Sequence, residues 1–264
     1  MKPMLLALWN YRGFIFGSAK REFQLKYRNS MLGAAWTVIQ PLSMIVVYTV
    51  IFAQIVSAKL PGVEGNFAYS IYLCAGILTW GLFAEITSRS QNVFLEHANL
   101  LKKINFPRLC LPVTIVTTAL LNFGIIFCLF LIFLLLSGNF PGWVVIATFP
   151  MLVLHVGFAI GLGMVIGVLN VFFRDVGQFF TVLLQFWFWL TPIVYPLSIL
   201  PDTVQQLMYL NPMAGLIRGY QTIFVHRALP EWHLLAPITV ATFILCVLGL
   251  KLFRTHAGEM VDEL

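Results

Sequence analysis

The sequence predicts an all-α integral membrane protein. It would have six transmembrane helices, an N-terminal amphipathic interface helix, a short cytoplasmic helix and a re-entrant helix pair on the outer side. Three observations carry this expectation. Residues 109–173 contain no Asp, Glu, Lys or Arg, whereas about 20 apolar residues already cross a bilayer's hydrocarbon core. Four further charge-free windows, 29–58, 65–84, 176–201 and 232–250, are each long enough for one crossing. The composition agrees, with 60% hydrophobic residues, 10% charged residues and a mean hydropathy of +0.90. All 264 residues therefore read as a single membrane domain, with no room for a second soluble one.

The helices are expected near 33–56, 67–88, 110–136, 143–171, 177–196 and 234–253. The third and fourth are separated by Ser137-Gly138-Asn139 and Pro141-Gly142, a tight turn. With both termini in the cytoplasm, thirteen of the 16 Lys and Arg fall on the inner side and Lys59, Arg218 and Arg227 outside. This is the positive-inside pattern. The net charge of +6 is thus a topology signal, and a nucleic-acid partner is not expected. The first 28 residues scatter six basic residues with no compact apolar core, which is not a cleavable signal peptide.

Three segments depart from plain spans. Within 1–30, Leu8, Ile15, Ala19 and Phe23 recur at helical spacing while Lys20, Arg21, Lys26 and Arg28 crowd the second half. That describes a basic helix lying along the interface, as a lipid anchor or a docking element. Between the second and third spans, Val93, His97, Leu100, Leu101 and Ile104 share one helical face, and Pro107 ends the pattern. This short helix either packs on its own domain or acts as a lever touched by a partner. In 197–231, Asp202 and Gln205 have capping-box spacing, and Asn211-Pro212 stops one short helix and starts another. Met213, Leu216, Ile217, Tyr220 and Phe224 line one face of the second helix. Both helices are too short to span, so they read as a re-entrant pair. The last segment, 232–264, holds the sixth span and a cytoplasmic tail.

Enzyme chemistry is not evident. There is no Walker A sequence and no HExxH, and the three aspartates (Asp175, Asp202, Asp262) are far apart. Leu136-Ser137-Gly138 looks only superficially like part of an ATPase signature. The four cysteines lack metal-ligand spacing and read as packing residues. His155 is the lone ionisable residue deep in the fourth span. A functional role is the default for such a residue, and a neutral ring hydrogen-bonded to a neighbouring helix is the simpler reading. Gly157, Gly161, Gly163 and Gly167 form two overlapping small-xxx-small pairs, suited to intrachain packing or a dimer contact.

Two helices carry mixed polar–aromatic stripes: Trp36, Gln40, Ser43, Val47 and Gln54 in the first, Gln178, Thr181, Gln185 and Trp189 in the fifth. Polar side chains are costly against lipid. Both stripes are therefore expected to face protein or water, as interhelical hydrogen bonds or as the lining of a sugar conduit.

Four further clusters point to a family. They are Leu25-Lys26-Tyr27-Arg28-Asn29-Ser30 with Leu32-Gly33 and Trp36, and Asn99-Leu100-Leu101-Lys102-Lys103 with Phe106-Pro107. The third is Phe173-Arg174-Asp175-Val176 running on to Trp189-Leu190-Thr191-Pro192-Ile193-Val194-Tyr195-Pro196, and the fourth is Leu210-Asn211-Pro212-Met213. In this order the chain resembles the membrane permease of a type-2 ABC exporter, in the branch exporting lipid-linked polysaccharides. The resemblance implies a homodimer with two separate ABC ATPase subunits in the bacterial inner membrane. ATP and Mg would bind the ATPases, and no cofactor would bind this chain. It implies a coupling helix with Glu96, His97, Leu100, Leu101, Lys102 and Lys103 against the ATPase. Helices 1 and 5 within 31–196 would line the conduit, and Met213, Leu216 and Tyr220 would form an outer gate. The implied cargo is an O-antigen-type glycan on undecaprenyl diphosphate, with capsule or teichoic-acid polymers and small molecules as alternatives. Arg28 and Arg174 are the expected contacts for the lipid diphosphate; otherwise they serve topology or, for Arg174, a pair with Asp175.

Overall fold

The computed structural model describes residues 9–27, 32–51, 67–103 and 108–263. Arg28, Gln54 and Ile104 lie outside them, as does Leu8. Among the described residues the protein is helical throughout, with no strand. Helix α1 is Arg12–Tyr27, α2 is Trp36–Tyr48, α3 is Ala68–Glu96 and α4 is Ala98–Lys103. Next come α5 (Cys110–Leu136), α6 (Thr148–Phe172) and α7 (Asp175–Trp189). The segment 197–231, expected on the outer side, holds α8 (Asp202–Met208) and α9 (Pro212–Gln221), followed by α10 (Ala236–His256) and α11 (Glu259–Glu263).

Among the described residues, four helical stretches are long and apolar enough to cross a membrane: Ala68–Glu96, Cys110–Leu136, Gly142–Phe172 and Trp232–His256. The protein is therefore a multi-pass membrane protein. The expected fifth span comes out shorter, and the end of the first, 52–56, lies outside the described residues. The first is described as an apolar helix over Trp36–Ile51. The fifth was expected to run to 196 but stops at Trp189. Its 15 residues reach about 22 Å at 1.5 Å per residue, less than the roughly 30 Å hydrocarbon core. The cause is the break at Thr191-Pro192, since proline removes a helical donor and clashes with the preceding turn. The carbonyls freed there are satisfied from α3 and α9. Tyr72 Oη donates to Pro192 O (3.0 Å) and Tyr195 O (2.8 Å), Tyr69 Oη to Val194 O (2.6 Å) and Gln221 Nε2 to Pro192 O (3.4 Å). Irregular backbone at membrane depth is tolerated where protein groups take up its polar atoms in this way.

The turn after α5 is a helix stop. Gly138 sits at φ 71°, and Asn139 N–H reaches back to Leu134 O at 2.8 Å, the Schellman pattern that requires a left-handed residue. The Ser137-Gly138 pair is thus structural.

Helix α3 is the centre of the bundle and the most buried of the four long helices. It packs on α6, α5 and α9, while α6 also packs along α10. The glycines decide how close these helices come. A Cβ on Gly157 would lie 3.0 Å from Thr242 Cγ2, and one on Gly161 3.0 Å from Cys246 N, both in α10. A Cβ on Gly163 would lie 2.6 Å from Ser90 Cβ, and one on Gly167 2.5 Å from Ser90 O, both in α3. The two small-residue pairs therefore serve two different helices of the same chain. One large apolar cluster joins α3, α5, α6 and α9. A second gathers Ile15, Phe94, Leu101, Met164, Phe253 and Met260 at the end where α1, α4 and α11 sit.

Candidate functional site

Helix α7 has two contrasting faces. Gly177, Phe180 and Leu184 are buried. Trp187 stands edge-on to Phe83 (5.3 Å between centroids) and Phe158 (6.4 Å). On the other side Gln178, Gln185 and Trp189 are exposed, as are Phe179 and Phe186. Thr181 also has exposed surface, but its hydroxyl works inside the chain. It accepts from Gln91 Nε2 at 3.1 Å and donates to Gly177 O at 2.9 Å. For Thr181 the interhelical reading applies; for Gln178, Gln185 and Trp189 the face is open. On α2, Trp36, Gln40 and Ser43 are likewise exposed. The Ser43 hydroxyl turns onto its own helix, donating to Ile39 O (2.7 Å) and Gln40 O (2.9 Å). Helix α2 packs chiefly on α5 and α3, and α7 on α6 and α3. One chain alone does not lay the two stripes against each other.

The base of α7 is fixed by a buried amide that the sequence reading passed over. Asn170, in the last turn of α6, is 2% exposed. Its Nδ2 donates to Gln91 O (2.8 Å) and Asn92 Oδ1 (3.1 Å) on α3, and its Oδ1 accepts from Gly177 N (2.8 Å) on α7. The signal was a lone Asn in an apolar run four residues before Arg174. Arg174 itself is an exposed residue at the head of α7, and no ion pair with Asp175 forms.

Helix α4 is separated from α3 by a break at His97. The expected single face is divided: Val93 belongs to α3, the short helix is described over Ala98–Lys103, and Ile104 lies outside the described residues. Leu101 is buried in the second apolar cluster and Leu100 packs against it. Glu96, His97 and Lys102 are exposed, and Lys103 is the last residue of α4. The apolar side thus anchors α4 to its own bundle and the charged side stays available. Helix α1 docks similarly, burying Ile15 and Ala19 and packing on α5.

The segment 197–231 differs from expectation in two respects. Asp202 and Gln205 do not form a capping box: α8 has no side-chain cap, and Gln205 Nε2 donates to Leu200 O at 2.8 Å. Pro201 occupies the cap position, its carbonyl accepting from Val204 N and Gln205 N, so Asp202 is already the first helical residue. Helix α8 also buries none of its residues within this chain, whereas α9 packs into its core. Asn211 caps α9, its Oδ1 accepting from Met213 N (3.1 Å) and from Trp187 Nε1 (2.9 Å). Met213, Leu216 and Tyr220 are buried in the chain's own core. A cleft of about 550 Å³ opens between this segment and α10, bordered by Tyr209, Gln221 and the Arg218–Glu231 pair at 3.2 Å.

Two interior polar features complete the picture. Arg89 bridges Glu22 of α1 (2.5 Å) and Glu85 (3.7 Å), and Asn122 Nδ2 of α5 donates to Glu85 Oε2 (3.0 Å). Its signal was Glu85 and Arg89 at i, i+4 just past a charge-free window. His155 is fully buried, but neither ring nitrogen finds a hydrogen-bond partner among the described residues. The expected interhelical hydrogen bond is absent, and the ring stands edge-on to Tyr220 at 6.1 Å instead. Among the described residues no group of three or more His, Cys, Asp or Glu could hold a metal ion.

A helical multi-pass membrane protein with open polar–aromatic faces and a bundle-anchored charged helix fits a membrane transport subunit better than an enzyme. Residues 15–225 match the ABC-2 type transporter family, and the chain belongs to it. Over the full length of both chains it is 31% identical to the O-antigen export system permease protein RfbA of Myxococcus xanthus. It is 27% identical to the O-antigen export system permease protein RfbA of Klebsiella pneumoniae, covering 89% of this chain and 88% of the relative. It is 22% identical to the polysialic acid transport protein KpsM of Escherichia coli, covering 92% and 93%.

Proposed function

We propose that this chain is the membrane subunit of an ATP-driven exporter that carries undecaprenyl-diphosphate-linked, O-antigen-type polysaccharide out of the cytoplasm. Two copies pair in the inner membrane, each with six spans and both termini inside, and two ABC ATPase subunits bind below. The observation that carries the reading is the two-faced α7. One face is locked into the bundle by Trp187 and Phe180, while the other leaves Gln178, Gln185 and Trp189 open. Indole rings stack on the C–H faces of sugars and amides bond their hydroxyls, so such a face suits a glycan better than lipid. In a dimer the α7 and α2 faces of both copies line the conduit. The full-length similarity to O-antigen export permeases selects the cargo, and the likeness to a polysialic acid transport protein makes capsule polymer the second reading.

The charged side of α4, with Glu96, His97, Lys102 and Lys103 in or beside the helix, meets the ATPase, while Leu100 and Leu101, expected there too, seat the helix on its own bundle. Arg28 and Arg174 receive the lipid diphosphate at the inner surface. Helix α9, with Met213, Leu216 and Tyr220, closes the outer end until α7 moves. The test is gene deletion with and without a plasmid copy. Lost surface polysaccharide, accumulated lipid-linked glycan and rescue by the plasmid are the expected results. Unchanged surface glycan in a strain with no second exporter would overturn the cargo and favour a small-molecule exporter.

A further inference from the structure

Force applied to α4 reaches α3 directly, because α3 runs as continuous helix to Glu96 and α4 starts at Ala98. Gln91 lies six residues before His97, about 9 Å along the axis at 1.5 Å per residue. At that level α3 is bonded to the first two turns of α7 by two routes. The direct one is Gln91 Nε2 to Thr181 Oγ1 at 3.1 Å. The indirect one passes through Asn170, whose amide bonds Gln91 O and Asn92 Oδ1 on one side and Gly177 N–H on the other. Both N–H donors and the oxygen of this buried amide are engaged. Its pairing is costly to break, because a buried polar atom left alone loses its full hydration energy.

The geometry also requires Gly177. A Cβ there would lie 2.7 Å from Asn170 Oδ1 and 2.8 Å from Nδ2, so any other residue pushes α7 off the amide. Near its other end α7 is held by aromatic packing of Trp187, which permits sliding, and by the bond from Trp187 to Asn211. The base is therefore where α7 is tied directly to the helix leading into α4.

We propose that Asn170, seated against Gly177, is the positioning residue that passes movement of α4 through α3 to the conduit face of α7. This rests on the reading of α4 as the ATPase-contacting helix. The test uses the full permease–ATPase complex with two separate variants, Asn170→Leu and Gly177→Ala. The second opens the joint without altering the amide, so a folding defect specific to Asn170→Leu leaves the test intact. Readouts are ATPase co-purification, ATP hydrolysis per complex, melting temperature and surface polysaccharide in the complemented deletion strain.

The expected result is native co-purification, melting lowered by a few degrees with the complex still folded at the growth temperature, ATP hydrolysis within about twofold, and surface polysaccharide per folded complex down about tenfold. A tenfold loss is within the range by which residues between coupled sites alter coupling. Native polysaccharide levels in both variants would overturn the proposal. So would loss of ATPase binding in both, or a fall in polysaccharide no larger than the fall in folded complex, since Asn170 would then shape the docking face or the fold. The underlying reading has its own control. If Glu96→Lys combined with Lys102→Glu still co-purifies the ATPase at native levels, the α4 assignment fails whatever Asn170 does.

Discussion

Substituting Gly167 with alanine tests how α3 and α6 are held together. The added Cβ would lie 2.5 Å from the backbone oxygen of Ser90 and 3.4 Å from the Phe94 ring. Carbon–oxygen contacts settle at about 3.3 Å or more, so the helices must part by roughly 0.8 Å at this level. No side-chain rotation relieves a clash with backbone. Overpacking of this kind costs about 1–3 kcal/mol, and alanine recovers up to about 1 kcal/mol of helix propensity over glycine. The expected net loss is about 1–2 kcal/mol, or a melting temperature lower by about 3–8 °C for a chain of this size. The assay is thermal unfolding of the purified protein in detergent.

Two comparisons sharpen it. Gly124→Ala, where a Cβ meets nothing within 4 Å, is expected to melt at or above the native temperature. Gly163→Ala collides with the Ser90 side chain at 2.6 Å, so adding Ser90→Gly rescues it and does not rescue Gly167→Ala. A Gly167→Ala protein as stable as the native one would refute the close-packing argument.

Arg89→Met is expected to cost about 1–2 kcal/mol, between exposed and buried ion pairs, because it leaves Glu22 and Glu85 facing each other with partial solvent access. Arg89→Lys recovers part of this in the same melting assay. Asn211→Ala removes the cap of α9 and the acceptor for Trp187 Nε1; a loss of about 1–2 kcal/mol is expected. Unchanged melting would mean that the α7–α9 junction is held by packing alone.

The long spans were legible because lipid enforces a simple code: an apolar run without charge has to be helix. Ala68–Glu96, Cys110–Leu136 and Ala236–His256 begin or end within a few residues of the windows read from charge. The Asn211-Pro212 helix start and the buried face of α9 were legible for a similarly local reason, a capping side chain followed by 3.6-residue periodicity. The capping box at Asp202 was not, since the rule ignores the proline that precedes it. The early end of α7 lay in Thr191-Pro192, but hydropathy cannot register a break inside an apolar window. Asn170, Tyr69 and Tyr72 were hidden for another reason. Apart from Gly177, seven residues from Asn170, their hydrogen-bond partners are 78 to 125 residues away in sequence, and no local pattern announces such a partner.

The central position of α3 also bears on how the protein is made. It is the least hydropathic of the four long helices, yet 72% of its apolar window is covered by the rest of the chain. The helices that cover it, α5 and α6, emerge from the ribosome later. For the time it takes to synthesise them and α7, the side chains of Gln91 and Asn92 lack Thr181 and Asn170, and Glu85 lacks Asn122. During that interval the nascent chain depends on the insertion machinery to shield α3 from lipid. Chains interrupted before α6 expose a polar helix that a membrane protease can recognise. The feature that makes α3 the hub of the finished bundle also makes it the weak point of the unfinished one.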